Sequence, residues 1–508
     1  MMPIHRISTR ALLLAGLLMG SACSRAAAPQ TPVTPAPAET PIPVTHLQAD
    51  FATLYAQLQA SHYDLYARRS KPEYDALFAT MRDQLDTPLP PTEAQLRFTR
   101  FVAYGRVAHA RIDLPFDRWS AYRQAGGKAL PISLRVDGGQ VLVLWELGGA
   151  EGISPGDVVL AIDGQPALAW LQRLGTLVSA DTDYMLHAQM EGLLPLLGWL
   201  ELGAVDGAQL TLATATGATR QAWLPARTRA EVEAFQATQD QGADTDMQSR
   251  ESRMLDSGIA YLRPGPFYDN RPEASSPFDR SEFRAFVDQA FEEFLDAGAT
   301  HLLVDLRDNP GGDNSFSDLM VAWFANRPFR FSPAFDIRIS QATVAANQAR
   351  LDSAPADAGG ASADLAALYE GKAPGSHVSY PIPLVEPREG KRFQGCVHVL
   401  VDRHSYSNAV SVAAIVQDYG FGRVLGEETS DLASTYGAME QFSLPNTGLT
   451  VGYPKARMLR PNGNPQARGV TPDVVLPRPV VEGAGDLVLL SALEEISGES
   501  GTDCRPAN

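Results

Sequence analysis

The sequence predicts a layered α/β core preceded by a β-rich module and an N-terminal helical segment, and three stretches predict it. In 258–324 a short apolar run (258–263) is followed by a helical stripe of Phe283, Phe286, Val287, Ala290, Phe291 and Phe294, then a second apolar run (301–306), a glycine-rich loop and a helical 316–324. Strand, helix, strand, loop, helix at these lengths builds a sheet covered by helices. In 130–227 the pattern changes to short strands, 131–136 and 140–145, joined by Asp137-Gly138-Gly139. In 46–114 apolar residues recur at helical spacing: Phe51, Leu54, Tyr55 and Leu58, then Tyr74, Leu77, Phe78 and Met81.

The stripe in 283–294 is preceded by Asp279-Arg-Ser-Glu282, a capping-box pattern, and followed by Gly298, a helix stop. Residues 339–387 are rich in Ala, Asp and Gly and read as an unusually long loop, either a cover over a site or a surface insertion. A longer apolar segment, 168–202, follows the strands of the β-rich module. Residues 239–248 are polar and read as a linker. The resulting division is 1–22, 23–45, 46–116 (helical), 128–228 (β-rich), 229–256 (linker), 257–480 (core) and 481–508 (tail).

Residues 1–22 combine a basic start (His5, Arg6, Arg10), an apolar run over 11–20 and small residues ahead of Cys23. That is the pattern of a secretory signal. The apolar run is well short of the roughly 20 residues a spanning helix needs. Gly20-Ser21-Ala22-Cys23 resembles the lipobox of bacterial lipoproteins, with Cys23 as the lipidated residue, although Gly20 stands where leucine is usual. Ordinary cleavage near Ala22 or in 26–28 is the alternative. The Ala-, Pro- and Thr-rich 24–44 cannot bury apolar area and reads as a tether. The expected location is therefore a periplasm-facing membrane surface, reached through the lipid, or else the soluble periplasm or medium.

The formal net charge is −17, and removal of 1–22 takes away two arginines and no acids. Nucleic acid is not an expected partner of such a chain. Of three cysteines only Cys396 and Cys504 follow Cys23, so no cysteine metal site is available, and in an oxidising compartment the two can pair.

Residues 397–401 form a buried strand, then Asp402-Arg-His-Ser-Tyr-Ser407, then a helix over 408–420. A serine between a strand and a helix N-terminus sits where free N–H groups favour a developing anion. A helix cap by Ser407 or Ser405 is the simpler use of either residue alone. The stretch also carries Ser405-Tyr406-Ser407, Gln417-Asp418-Tyr419-Gly420 and Val424-Leu-Gly-Glu427. Upstream stands Asp305-Leu-Arg-Asp-Asn-Pro-Gly-Gly312, and downstream Gly469-Val-Thr-Pro-Asp473. Together these resemble the tail-specific, or carboxy-terminal processing, serine peptidases over about 258–477. Gly152-Ile-Ser-Pro-Gly-Asp through Asp163-Gly164 resembles the PDZ domains attached to such proteases.

The resemblance implies a crotonase-like core with an inserted PDZ-like domain. It implies Ser407 as nucleophile of an acyl-enzyme, and Gly311 or Gly312 with the N–H of Asn408 as oxyanion hole. It implies a polypeptide substrate and no metal or organic cofactor. A PDZ-like module adds a peptide to a sheet edge, or serves structure alone. The family's Ser-Lys branch has a lysine in the run that here reads Gly426-Glu-Glu-Thr-Ser-Asp-Leu432, and leucine is no base. The tricorn-like branch takes a histidine from ahead of the PDZ domain, where Arg106-Val-Ala-His109 stands, so His109 is the expected base. His404 is its rival, while His301 and His398 fall on strands. That branch orients its histidine with an acid just before the Gly-Val-x-Pro-Asp run, where this chain has Gln466. An amide positions an imidazole without stabilising its cation. Glu428, Asp431 or Glu440 are the substitutes. A binding protein that has lost its chemistry, or an esterase using the same site, are the alternatives, and neither the substrate nor the oligomeric state follows from the residues.

Overall fold

The computed structural model describes residues 40–213, 217–239, 249–274, 276–353, 361–481 and 485–498. Its centre is a six-stranded sheet in the order Val474–Val475, Arg423–Gly426, Cys396–Val401, His301–Asp305, Ile259–Arg263 and Glu251–Met254. The strands run parallel except Glu251–Met254, which pairs antiparallel with Ile259–Arg263. Every residue of Ile259–Arg263, His301–Asp305 and Cys396–Val401 is buried, as expected of parallel strands covered on both faces. Helices Ser281–Asp296, Asn314–Val321 and Asn408–Asp418 pack on one face and Leu487–Ser497 on the other. His301 and His398 lie on these strands with their rings stacked 5.7 Å apart, and burial pushes His398 down to about 3.

Helix Ser281–Asp296 buries Phe283, Val287, Ala290, Phe291 and Phe294, each phenylalanine contributing about 2–3 kcal/mol. Its start differs from the expected capping box. Arg280 occupies the cap position, and the Asp279 carboxylate accepts from the N–H and hydroxyl of Ser281 instead. Residues 339–387 also differ from the long loop expected. They contain helices Gln341–Ser353 and Ala361–Tyr369 and strand His377–Ser379, which pairs with Phe335–Arg338. Helix Gln341–Ser353 is rich in Ala and Gln with weak apolar contrast between its faces, so the spacing signal was faint.

The second sheet is antiparallel, in the order Ile132–Asp137, Gln140–Glu146, Val158–Ile162, Gly207–Ala213 and Thr219–Pro225. Its first hairpin closes on Gly138 and Gly139, both at positive φ (54° and 79°), the backbone a two-residue turn of this hand requires. The apolar 168–202 forms most of two helices, Ala167–Gly175 and Asp183–Leu202. The longer one packs along strand Ile132–Asp137, where Ser133 Oγ donates to the Glu191 carbonyl at 2.6 Å.

A third sheet joins Arg111–Ile112, Thr450–Met458, Phe335–Arg338 and His377–Ser379, with Thr435–Ser443 also paired to Thr450–Met458. Helices Val44–Ser61, Lys71–Asp83 and Pro91–Ala103 close on this sheet, so Phe51, Phe98 and Phe101 share one core with Leu444, Val451 and Tyr453. The pairing of Arg111 with Gly452 fixes the turn that carries His109. Cys396 is disulfide-bonded, while Cys504, Cys23 and the whole of 1–39 lie outside the described residues.

Candidate active site

Strand Cys396–Val401 delivers the chain into a turn that is held at three points. The Ser405 hydroxyl donates to the Leu306 carbonyl at 2.7 Å, the Tyr406 N–H donates to the Asn309 carbonyl at 2.9 Å, and the Ser407 N–H donates to Asp431 Oδ2 at 2.6 Å. Ser405 is therefore a structural tie. Ser407 stands at the cap position of helix Asn408–Asp418, yet its side chain makes no cap bond, and its backbone is at φ 53°, ψ −116°. A non-glycine residue in that region costs about 1–3 kcal/mol and persists only where its surroundings hold it. The hydroxyl is thus kept out of local capping on a sharp, strained turn at a helix N-terminus.

The glycine-rich loop passes beside this turn. A Cβ built on Gly311 would lie 2.7 Å from the Asn408 nitrogen and 2.8 Å from Ser407 Cβ, so only glycine lets the loop approach this closely. The Gly311 N–H is already committed to Asn309 Oδ1 at 2.9 Å, and its carbonyl accepts from the Phe267 N–H. The exposed Gly312, at φ 140°, and Asn408 make no backbone N–H bond among the described residues. Of the two glycines expected as oxyanion donors, Gly312 retains a free N–H; Gly311 supplies closeness.

His109 lies in the turn before strand Arg111–Ile112, buried, with its ring 5.8 Å from the Tyr406 ring, one residue from Ser407. Burial, with Arg111 nearby, pushes the imidazole down to about 4, so it is neutral at pH 7. His404 is engaged elsewhere. Its Nε2 lies 3.1 Å from Glu191 Oε2, and although burial opposes its protonation, that carboxylate raises it above the ordinary value. Glu191 also takes Arg135 at 3.0 and 3.1 Å and Arg403 at 3.1 Å, and Arg403 makes two further bonds to Glu427. Burial alone would raise Glu191, but His404, Arg135 and Arg403 hold it down to about 2.

The structure does not bring Gln466 to His109. It is exposed in a coil, its N–H donating to Asn464 Oδ1 and its carbonyl accepting from the Arg468 N–H. No strand or helix carries this segment, so nothing directs its side chain inward. Glu428 is paired with exposed Arg468, and Glu440 with Lys455 and Arg350. Asp431 is fully buried and holds the Ser407 and Leu432 N–H groups, and burial pushes it up to about 7.

Because Asp431 titrates higher when folded than its ordinary 3.8, its contribution to stability is full below about pH 4 and is lost as pH rises toward 7. Asp431→Asn keeps an acceptor for the Ser407 N–H and removes the ionisation. It is expected to gain on wild type by roughly 2–4 kcal/mol between pH 4 and pH 8. Urea denaturation at both pH values checks this, and parallel curves for the two proteins would refute it.

A serine on a strained turn at a helix N-terminus, two backbone donors beside it and a neutral histidine on the neighbouring ring define a serine hydrolase. The comparisons narrow the class. Residues 259–476 match the sequence model of peptidase family S41. The structure of mature CPAF complexed with lactacystin is 16% identical, with a TM-score of 0.58, over 89% of this chain and 98% of that one. Mature CPAF alone gives 16% and 0.57, over 86% and 93%. The photosystem II D1 C-terminal processing protease is a more distant likeness, 17% identical at a TM-score of 0.41, over 85% and 93%. The match over residues 259–476 and the shared fold support a serine peptidase of the S41 type.

Proposed function

We propose that this serine peptidase cleaves exported polypeptides through an acyl-enzyme on Ser407, with His109 as general base and the N–H groups of Gly312 and Asn408 as oxyanion hole. The observation that carries the reading is the Ser407 turn, whose hydroxyl is left out of capping while Gly311 packs against its Cβ. His109 Nε2 takes the hydroxyl proton as Oγ attacks the carbonyl carbon, and returns it to the leaving amine. Lipidation at Cys23 and a periplasm-facing membrane location are supported by the signal pattern of 1–22.

The antiparallel sheet with its Gly138-Gly139 and Asp163-Gly164 turns supports a PDZ-like module. Helix Asp183–Leu202 packs along strand Ile132–Asp137, and its Glu191 reaches Arg403 and His404 in the nucleophile's own loop. Action near carboxy termini is the finer part of the proposal. Mass spectrometry of the protein after a fluorophosphonate probe tests the chemistry. A single adduct on the peptide containing Ser407, with cleavage of an unstructured polypeptide, is the expected result; folded wild-type protein that takes no adduct would sink it.

A further inference from the structure

The general base lacks an orienting acid at the position the family resemblance assigns, where Gln466 stands exposed. Another carboxylate is built in beside it. Asp181 immediately precedes the Thr182 cap of helix Asp183–Leu202, and its Oδ2 accepts the N–H of Ala108, the residue before His109, at 3.0 Å. Asp181 is buried, 5% exposed, and its Oδ1 has no hydrogen-bond partner among the described residues, Arg68 Nη2 standing off at 3.5 Å. His109, 7% exposed, has its Nδ1 in the same condition. Asp181 Oδ1 thus has only the long ion pair to Arg68, and the buried Nδ1 of His109, with no partner among the described residues, costs about 1–3 kcal/mol. Pairing the two removes that cost.

We propose that Asp181 is the positioning residue of His109, its Oδ1 accepting the Nδ1–H so that Nε2 is the bare nitrogen that takes the Ser407 proton. The imidazolium formed as the O–C bond closes is then stabilised by the Asp181 carboxylate, and the same proton leaves with the amine. The inference rests on the peptidase reading. The other charged or titratable groups around the pair are Arg111 on the His109 segment, Tyr406 and Asp431 on the nucleophile's side, and Arg68 and Arg106 around Asp181. The second module thereby supplies part of the catalytic apparatus.

The test is the rate of fluorophosphonate labelling against pH for wild type, Asp181→Asn and Asp181→Glu. Asparagine keeps the acceptor for the Ala108 N–H and cannot stabilise the cation. Labelling is expected to fall by roughly 10²-fold or more, with the acid limb moved to lower pH, and glutamate is expected to restore part of the rate. A folded Asp181→Asn protein with the wild-type rate and limb overturns the assignment while leaving the peptidase reading standing. Folded wild type that does not label takes both down. Where Asp181→Asn fails to fold, proton NMR of wild type decides. A far-downfield imidazole N–H resonance that is lost in His109→Ala supports the pair, and its absence overturns it.

Discussion

Ser407→Gly is expected to abolish labelling and peptide cleavage while making the protein more resistant to heat. On the proposed mechanism the hydroxyl is the nucleophile, so the rate falls by at least about 10³-fold. The strained backbone at φ 53°, ψ −116° is meanwhile no strain for a residue without Cβ. Relief of about 1 kcal/mol or more should raise the thermal midpoint by a few degrees, less the entropy glycine loses on folding. Ser407→Ala should lose the same activity without that gain, since alanine keeps the Cβ. Stopped-assay rates and thermal melts on the three proteins separate the two effects, and an active Ser407→Gly would remove Ser407 from the chemistry.

The second large effect is on stability. Glu191 is 2% exposed and carries hydrogen bonds from Arg135, Arg403 and His404. Alanine there leaves buried cations facing one another, Arg403 retaining Glu427 but Arg135 retaining, among the described residues, only the Arg478 carbonyl at 3.2 Å. Breaking a buried pair from one side costs about 3–5 kcal/mol. Glu191→Ala should lose that much in urea denaturation, and because Arg403 and His404 stand just before Ser407, its labelling should slow as well. Loss of less than about 1 kcal/mol would show the network to be dispensable.

What could be read from the sequence is what is local. Ser405-Tyr406-Ser407 between a buried strand and a helix, and Gly311-Gly312 after another strand, carry their geometry in consecutive residues, and the two parallel strands pair as their apolar runs suggest. Asp181 had no such signal. It is one polar residue between apolar helices, 73 positions from the N–H it holds, and only the packing of the β-rich module on the core makes it a neighbour of His109. Asp431 was visible only as one of three acids. Burial and the Ser407 N–H distinguish it from Glu428 and Glu440, and burial is not written in one residue type. The helix over Gln341–Ser353 was missed because its faces differ too little in polarity to show a period.

The pairing of Arg111 with Gly452 and Ile112 with Val451 has a consequence for how the molecule is made. The turn holding His109 is anchored through strand Thr450–Met458, yet it belongs to the first quarter of the chain. A nascent or truncated polypeptide ending before Thr450 already contains Ser407, Gly312 and His109, but the core that unites Phe51, Phe98 and Tyr453 is still open. Loss of the chain from Thr450 onward would therefore remove the strand that pairs with the His109 segment and leave that segment without its anchor.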